Sequence, residues 1–192
     1  MDIITIIEQY IELSVRHDRL NNAIQTEEDG YNYAKIEGDM AYYDKNYKLE
    51  RMYNDSARNH REMKQNAEKE LLQVQQLLAI IHATYTETVE SLSASQLNEA
   101  AITLLVKKAE VERRVTELSQ RREWARSKGD IAYNERNFSE EQEYNRISSE
   151  CYLEIRKIEP TIHYYEAFIN NLNYHASKKV DQDFSQGGPG IK

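Results

Sequence analysis

The chain has 192 residues, 40% of them hydrophobic and 30% charged, with a net charge of -8 and a mean hydropathy of -0.83. That length normally makes one domain with a substantial core, and the acidic balance excludes nucleic-acid binding by bulk charge, leaving only a local basic stripe for such a role. A single cysteine, Cys151, excludes an intrachain disulfide and a Cys-only metal site, and no run of about 20 apolar residues is present to span a membrane.

From Ile3 the apolar and small positions alternate at three- and four-residue spacing: Ile3, Ile7, Tyr10, Leu13, His17, Leu20, Ile24, Tyr31, Ala34, Gly38 and Ala41, with Glu27 as the one interruption. This heptad seam predicts a first helix over Asp2 to Asp44, about 60 Å long at 1.5 Å per residue, with Glu28 to Gly30 as the place for any bend. Lys45 and Asn46 form a tight turn. A second seam (Leu49, Tyr53, His60, Met63, Ala67, Leu71, Val74, Leu78, Ile81, Tyr85, Val89, Leu92) predicts a helix over Tyr47 to Leu92. Ser93 and Gln96 then have the spacing of a capping box, opening a third helix over Ser95 to Asn134 on Leu104, Val111, Val115, Leu118, Ala125, Gly129 and Ala132. A second candidate capping box, Ser139 with Gln142, precedes the fourth seam from Tyr144 to Ala176, predicted to continue to Lys178 with a kink near Arg156 imposed by Pro160. The stretch from Val180 onward is expected to be a flexible tail.

The chain also repeats itself. Ala34 to Asn54 and Ala125 to Asn145 match at a constant offset of 91, with nine identities: Ala34/Ala125, Gly38/Gly129, Asp39/Asp130, Ala41/Ala132, Tyr42/Tyr133, Asn46/Asn137, Glu50/Glu141, Tyr53/Tyr144 and Asn54/Asn145. The helical seams keep the same register upstream. Short connections between long amphipathic helices force antiparallel neighbours. The predicted fold is therefore all-α, an antiparallel up-down-up-down four-helix bundle of long helices built from two duplicated αα-hairpins. Residues 1–92 are the first repeat, residues 93–180 the second, packed together as one domain, and residues 181–192 the tail. Gly38 and Gly129 lie on the core seams among alanines, which suggests a close helix approach across the pseudo-two-fold axis. The block G-D-x-A-Y followed by N-Y/F resembles the helix-turn-helix of a tetratricopeptide unit over about 20 residues per copy. That resemblance implies a hairpin turn at each block, although the period of 91 departs from the 34 of that family.

No enzymatic constellation emerges. A ferritin-like di-metal centre requires Glu-x-x-His, and none of His17, His60, His82, His163 or His175 has Glu three residues earlier. The duplicated acids Asp39, Glu50, Asp130 and Glu141 are read as helix charge pairs, and His60 with Cys151, equivalent positions of the two repeats, as core residues more readily than as a nucleophile pair. There is no phosphate-binding glycine loop, G-x-S-x-G or H-E-x-x-H. The expectation is a protein that is not an enzyme and has no cofactor or metal.

Two surfaces suggest partners. Tyr31, Tyr33, Tyr42, Tyr43 and Tyr47 crowd the first hairpin tip, and tyrosine is a favoured interface residue. The third helix carries Lys107, Arg114, Arg121 and Lys128 at seven-residue intervals with Trp124 nearby, a stripe able to follow a phosphate backbone or to pair intramolecularly with acids. The leading expectation is a non-catalytic helical interaction protein (scaffold, adaptor, assembly factor or inhibitor of a protein partner, or self-associating). A nucleic-acid-associated accessory protein is the alternative, and a bundle metalloenzyme a weaker one. The acidic start MDIITIIEQYIEL lacks the pattern of a secretory signal, so a cytoplasmic location is expected, or a virion if the protein is phage-encoded.

Overall fold

The computed structural model describes residues 2–186. It is an all-α, antiparallel four-helix bundle with up-down-up-down order: α1 (Ile3–Tyr43), α2 (Tyr47–Ser91), α3 (Ala94–Asn134) and α4 (Phe138–Gln186). Among the described residues there is no strand, and no helix is long and apolar enough to cross a membrane. Two compact units divide the chain. Among the described residues, one comprises 2–11 with 85–186, the other 12–84.

The first of these units contains the place where all four helices share a core. Ile3, Ile6, Ile7 and Ile11 from α1, Tyr85 and Val89 from α2, Leu97, Ala100, Ala101 and Leu104 from α3, and Phe168, Ile169, Leu172 and Ala176 from α4 are all buried there. The Phe168 ring packs edge-on to Tyr10 at 5.2 Å and to Tyr85 at 5.1 Å, an arrangement that aligns the positive ring edge with a negative face. The Tyr85 hydroxyl donates to Asn171 Oδ1 at 2.7 Å. Burial holds the Tyr85 phenol well above the usual tyrosine range, so it remains a donor. Lys179 donates to the carbonyls of Glu90, at 2.7 Å, and Leu92, satisfying acceptors left open where α2 ends.

A helix facing several neighbours needs a wider apolar face than one facing a single partner. Hence Ile11 and Ala100 are buried although they lie off the single seams read from the sequence, while Ile6, Leu97 and Ala101 continue the phase of those seams. Farther along the same unit α3 and α4 pair as a two-helix hairpin around Leu118, Cys151 and Ile155, with Val115, Ile147 and Ile158 packed against them. Here Pro160 sits inside an unbroken α4.

The second unit is the α1·α2 hairpin. Its seam runs through Ala34, Gly38, Ala41, Ala57 and Val74, all buried. Met63, assigned to the seam from its apolar character, is instead 54% exposed. Lys64 takes the seam position, its stem half-buried and its ammonium paired with Glu28.

Both hairpins turn in the same way, and the duplicated block explains how. Lys45 and Arg136 adopt the left-handed conformation, at φ 55° and φ 58°. The next residue, Asn46 or Asn137, sends its N–H back to the carbonyl of Ala41 at 2.9 Å or Ala132 at 2.8 Å. Lys45 N–H reaches Tyr42, and Arg136 N–H reaches Tyr133, each at 3.0 Å. These paired bonds are a Schellman closure. The same asparagine then starts the next helix, its Oδ1 accepting from Leu49 N–H at 3.3 Å or Glu140 N–H at 3.4 Å. Asn137, not Ser139, is therefore the cap of α4: a left-handed Arg136 leaves the chain entering the helix at Phe138, with Ser139 already inside the first turn. The Ser93–Gln96 capping box forms as expected.

Gly38 and Gly129 each face their own hairpin partner. A Cβ on Gly38 would lie 3.2 Å from Asn54 Oδ1 and 3.5 Å from Tyr53 Cβ; on Gly129 the corresponding distances, to Asn145 and Tyr144, are 3.4 Å and 3.6 Å. The close approach is thus between antiparallel helices of one repeat, in both repeats. Helix α4 runs to Gln186, past the expected end at Lys178, because Asp181 to Gln186 contains neither Gly nor Pro. The rest of the expected tail, residues 187–192, lies outside the described residues.

Candidate interaction surfaces

The hairpin tips carry large side chains that the fold leaves outside. At the first tip Tyr33, Tyr42, Tyr43 and Tyr47 are exposed, Tyr43 most of all at 81%. Tyr31 is half-buried lower on α1. Tyr42 stands edge-on to Tyr43 at 6.0 Å and to Tyr47 at 6.5 Å, so three of the five tyrosines expected to bind form one ring cluster across the turn. Tyr33 packs edge-on to Tyr53 at 6.4 Å. Desolvation, followed by the neighbouring Tyr33 and Glu37, raises the Tyr53 phenol above its ordinary range.

The second tip reproduces this layout with other residues. Trp124 packs edge-on to Tyr144 at 5.5 Å, the positions equivalent to Tyr33 and Tyr53. Ile131, Tyr133 and Phe138 are exposed where the first tip has Met40, Tyr42 and Tyr47.

Composition draws attention only to tyrosine and leaves out the aliphatic part of the first surface. Ile36 is 59% exposed and Met40 51% exposed. With Tyr33 and Tyr43 they recur at spacings of three, four and three, which is a helical stripe. Their periodicity is visible in the sequence but is two residues out of phase with the stronger seam of Ala34, Gly38 and Ala41.

The basic stripe of α3 divides into two parts. Lys107 is bonded to Glu8, and that contact raises its ammonium above the ordinary lysine range. Arg114 pairs with Glu154 at 2.8 Å, and Lys108 and Arg113 are engaged by Glu112 and Glu117. Arg121 and Lys128 have no ion pair among the described residues. Arg122 stacks over the Tyr152 ring at 4.7 Å. The structure thus brings Lys107 and Arg114 onto carboxylates of neighbouring helices and leaves Arg121, Lys128 and Trp124 facing outward toward the second tip.

His60 and Cys151 each find partners within their own hairpin. His60 Nδ1 donates to Glu27 Oε2 at 2.7 Å, whereas Cys151 is buried beside Leu118 and Ile155. Among the described residues no group of three or more His, Cys, Asp or Glu side chains is arranged to hold a metal ion. The chain matches no protein-family model, no curated protein and no solved structure.

Proposed function

We propose that this is a non-catalytic helical interaction protein that binds a protein partner through the tip of its first hairpin. The observation that carries the reading is the exposed cluster of Tyr42, Tyr43 and Tyr47 next to Ile36 and Met40. Apolar side chains scattered singly over a surface need no explanation, but a contiguous group of aromatics is the usual composition of a binding hot spot. Tyrosine offers a large rigid contact area with little rotamer entropy to lose. Such a protein acts by presenting this surface, as a scaffold, adaptor, assembly factor or inhibitor.

The test is affinity capture with the tagged full-length protein, with and without nuclease, comparing wild type with Tyr42→Ala/Tyr43→Ala. The expected result is a stoichiometric protein partner that survives nuclease and is lost at least about tenfold from the double variant, while the helical circular-dichroism signal is unchanged. Equal retention by both proteins would sink the assignment. Loss of all bound material on nuclease treatment would instead move attention to Arg121, Lys128 and Trp124.

A further inference from the structure

Helix α1 carries two apolar stripes near the first tip. One, Ala34, Gly38 and Ala41, is buried against α2. The other is Tyr33, Ile36, Met40 and Tyr43, all exposed. At 100° per residue the second stripe is centred well away from the first, on the outer side of the hairpin, and it extends over about 15 Å of helix. Anchors at i, i+3, i+7 and i+10 are the pattern by which one amphipathic helix packs along another.

The borders of this stripe are acidic. Residues 29–44, the end of α1 and the first turn residue, hold four acids, Asp29, Glu37, Asp39 and Asp44, against one base, Lys35. Asp29 continues the line of the stripe toward the middle of the hairpin, Asp39 edges one side, and Glu37 and Asp44 the other. The equivalent face of α3 differs on both counts. Its stripe reads Trp124, Ser127, Ile131 and Asn134, and residues 120–135 hold four bases, Arg121, Arg122, Arg126 and Lys128, against three acids, Glu123, Asp130 and Glu135. Only the first repeat therefore combines an unbroken apolar stripe with an acidic frame.

We infer that the outer face of α1 between Tyr33 and Tyr43 docks an amphipathic helix of a partner protein whose apolar stripe is flanked by Lys and Arg, forming a local three-helix layer. This rests on the proposed role of the first tip and names the class of its partner. Charge complementarity selects the occupant: two copies of this face would set Glu37, Asp39 and Asp44 against their own kind, and like charges across an interface cost affinity and slow encounter. A basic helix places ammonium and guanidinium groups over those carboxylates while its apolar side chains cover Ile36 and Met40.

The probe is a labelled three-heptad peptide with Leu at a and d and Lys at e and g, titrated into the purified full-length protein by fluorescence anisotropy. Two control peptides carry Glu at e and g, or Ser at a and d. The Leu/Lys peptide is expected to bind at least about tenfold more tightly than either control. Ile36→Ser/Met40→Ser should remove that preference. Ile131→Ser, the counterpart of the Met40 change in the second hairpin, should leave it intact. All substituted positions are exposed, so folding is checked simply by circular dichroism. Equal binding by the Glu peptide, or binding indifferent to Ile36→Ser/Met40→Ser, would overturn the inference. So would concentration-dependent self-association of the protein alone that the same double variant abolishes, since the stripe would then belong to a second copy. A Tyr42- and Tyr43-dependent partner in the capture experiment, together with no peptide preference here, would overturn this inference alone and leave the tip's binding role standing.

Discussion

The two hairpins place opposite chemistries at the same three positions. In the second, Leu118, Cys151 and Ile155 form an apolar knot, buried to within a few per cent of their surface. In the first, 91 residues earlier, the equivalent residues are Glu27, His60 and Lys64. There the His60 imidazole bonds to Glu27, Lys64 pairs with Glu28, and the His60 ring fills the space over Gly30, where an added Cβ would come within 2.6 Å of it. The turn, the glycine contact and the aromatic pair are meanwhile retained in both hairpins. His60 and Lys64 stay about a third exposed, where Cys151 and Ile155 are buried. Polar pairs at such a site keep contact with water and forgo hydrophobic burial without the full cost of isolating charge. The two repeats thus differ in chemistry along the seam while sharing one turn geometry.

The largest effect should come from moving the polar choice into the apolar hairpin. Leu118→Glu places a carboxylate at a site that is 3% exposed and packed against Cys151, Ile155 and the half-buried Val115, Ile147 and Ile158. An unpaired buried charge of this kind costs about 3–5 kcal/mol. Urea denaturation followed by circular dichroism should show a midpoint far below wild type, and hydrogen exchange should locate the loss in α3 and α4. A change under about 1 kcal/mol would mean that the second hairpin's seam is as open to water as the first's.

The reverse exchange should sharpen the comparison. Glu27→Leu/His60→Cys converts two of the three positions to the second hairpin's residues while Lys64 keeps Glu28. Replacing a partly buried polar pair by apolar residues of suitable volume is expected to stabilise by about 1–3 kcal/mol, seen as slower amide exchange in residues 20–35 and 55–70. The single change Glu27→Leu should do less, because it leaves the His60 ring without its acceptor. Destabilisation by the double exchange would show that the Glu27–His60 bond contributes more than the apolar contact that replaces it.

How far these features could be read from the sequence follows from what each depends on. The turns were legible because Lys45-Asn46 and Arg136-Asn137 lie between uninterrupted periodic segments, and an asparagine that caps a helix is local chemistry. The α1 start was only half legible: Ile3 and Ile6 have the phase of the seam that follows, but Ile11 is buried because three other helices reach that end, a tertiary fact. Lys64 is passed over for a different reason. Periodicity counted from apolar residues prefers Met63, yet Lys64 has the correct heptad phase with Ala57, His60 and Ala67, and its aliphatic stem tolerates the half-buried site. The cap at Asn137 required knowing that Arg136 is left-handed, which no side-chain pattern announces. As for the candidate surface, its tyrosines stood out by composition, while Ile36 and Met40 were obscured because apolar residues are assumed to face inward until exposure is known.

The smallest predicted effect lies where the hairpins agree. Lys45 and Arg136 hold φ near 55–58°, a conformation in which any Cβ crowds the following carbonyl and which glycine adopts freely. Helices that close by the Schellman arrangement usually have glycine at this position. Lys45→Gly should therefore relieve about 1 kcal/mol of strain, offset in part by the greater entropy of glycine in the unfolded chain, for a net gain of roughly 0.5 kcal/mol. Arg136→Gly should give the same gain within error, because both turns make the same pair of backbone bonds. Measured by urea midpoint, equal small gains would show that the duplicated turn has the same energetics in both copies despite the divergence of the seams. A gain at one turn and a loss at the other would mean that Lys45 or Arg136 contributes through its side chain, and the equivalence of the two turns would then extend only to their backbone.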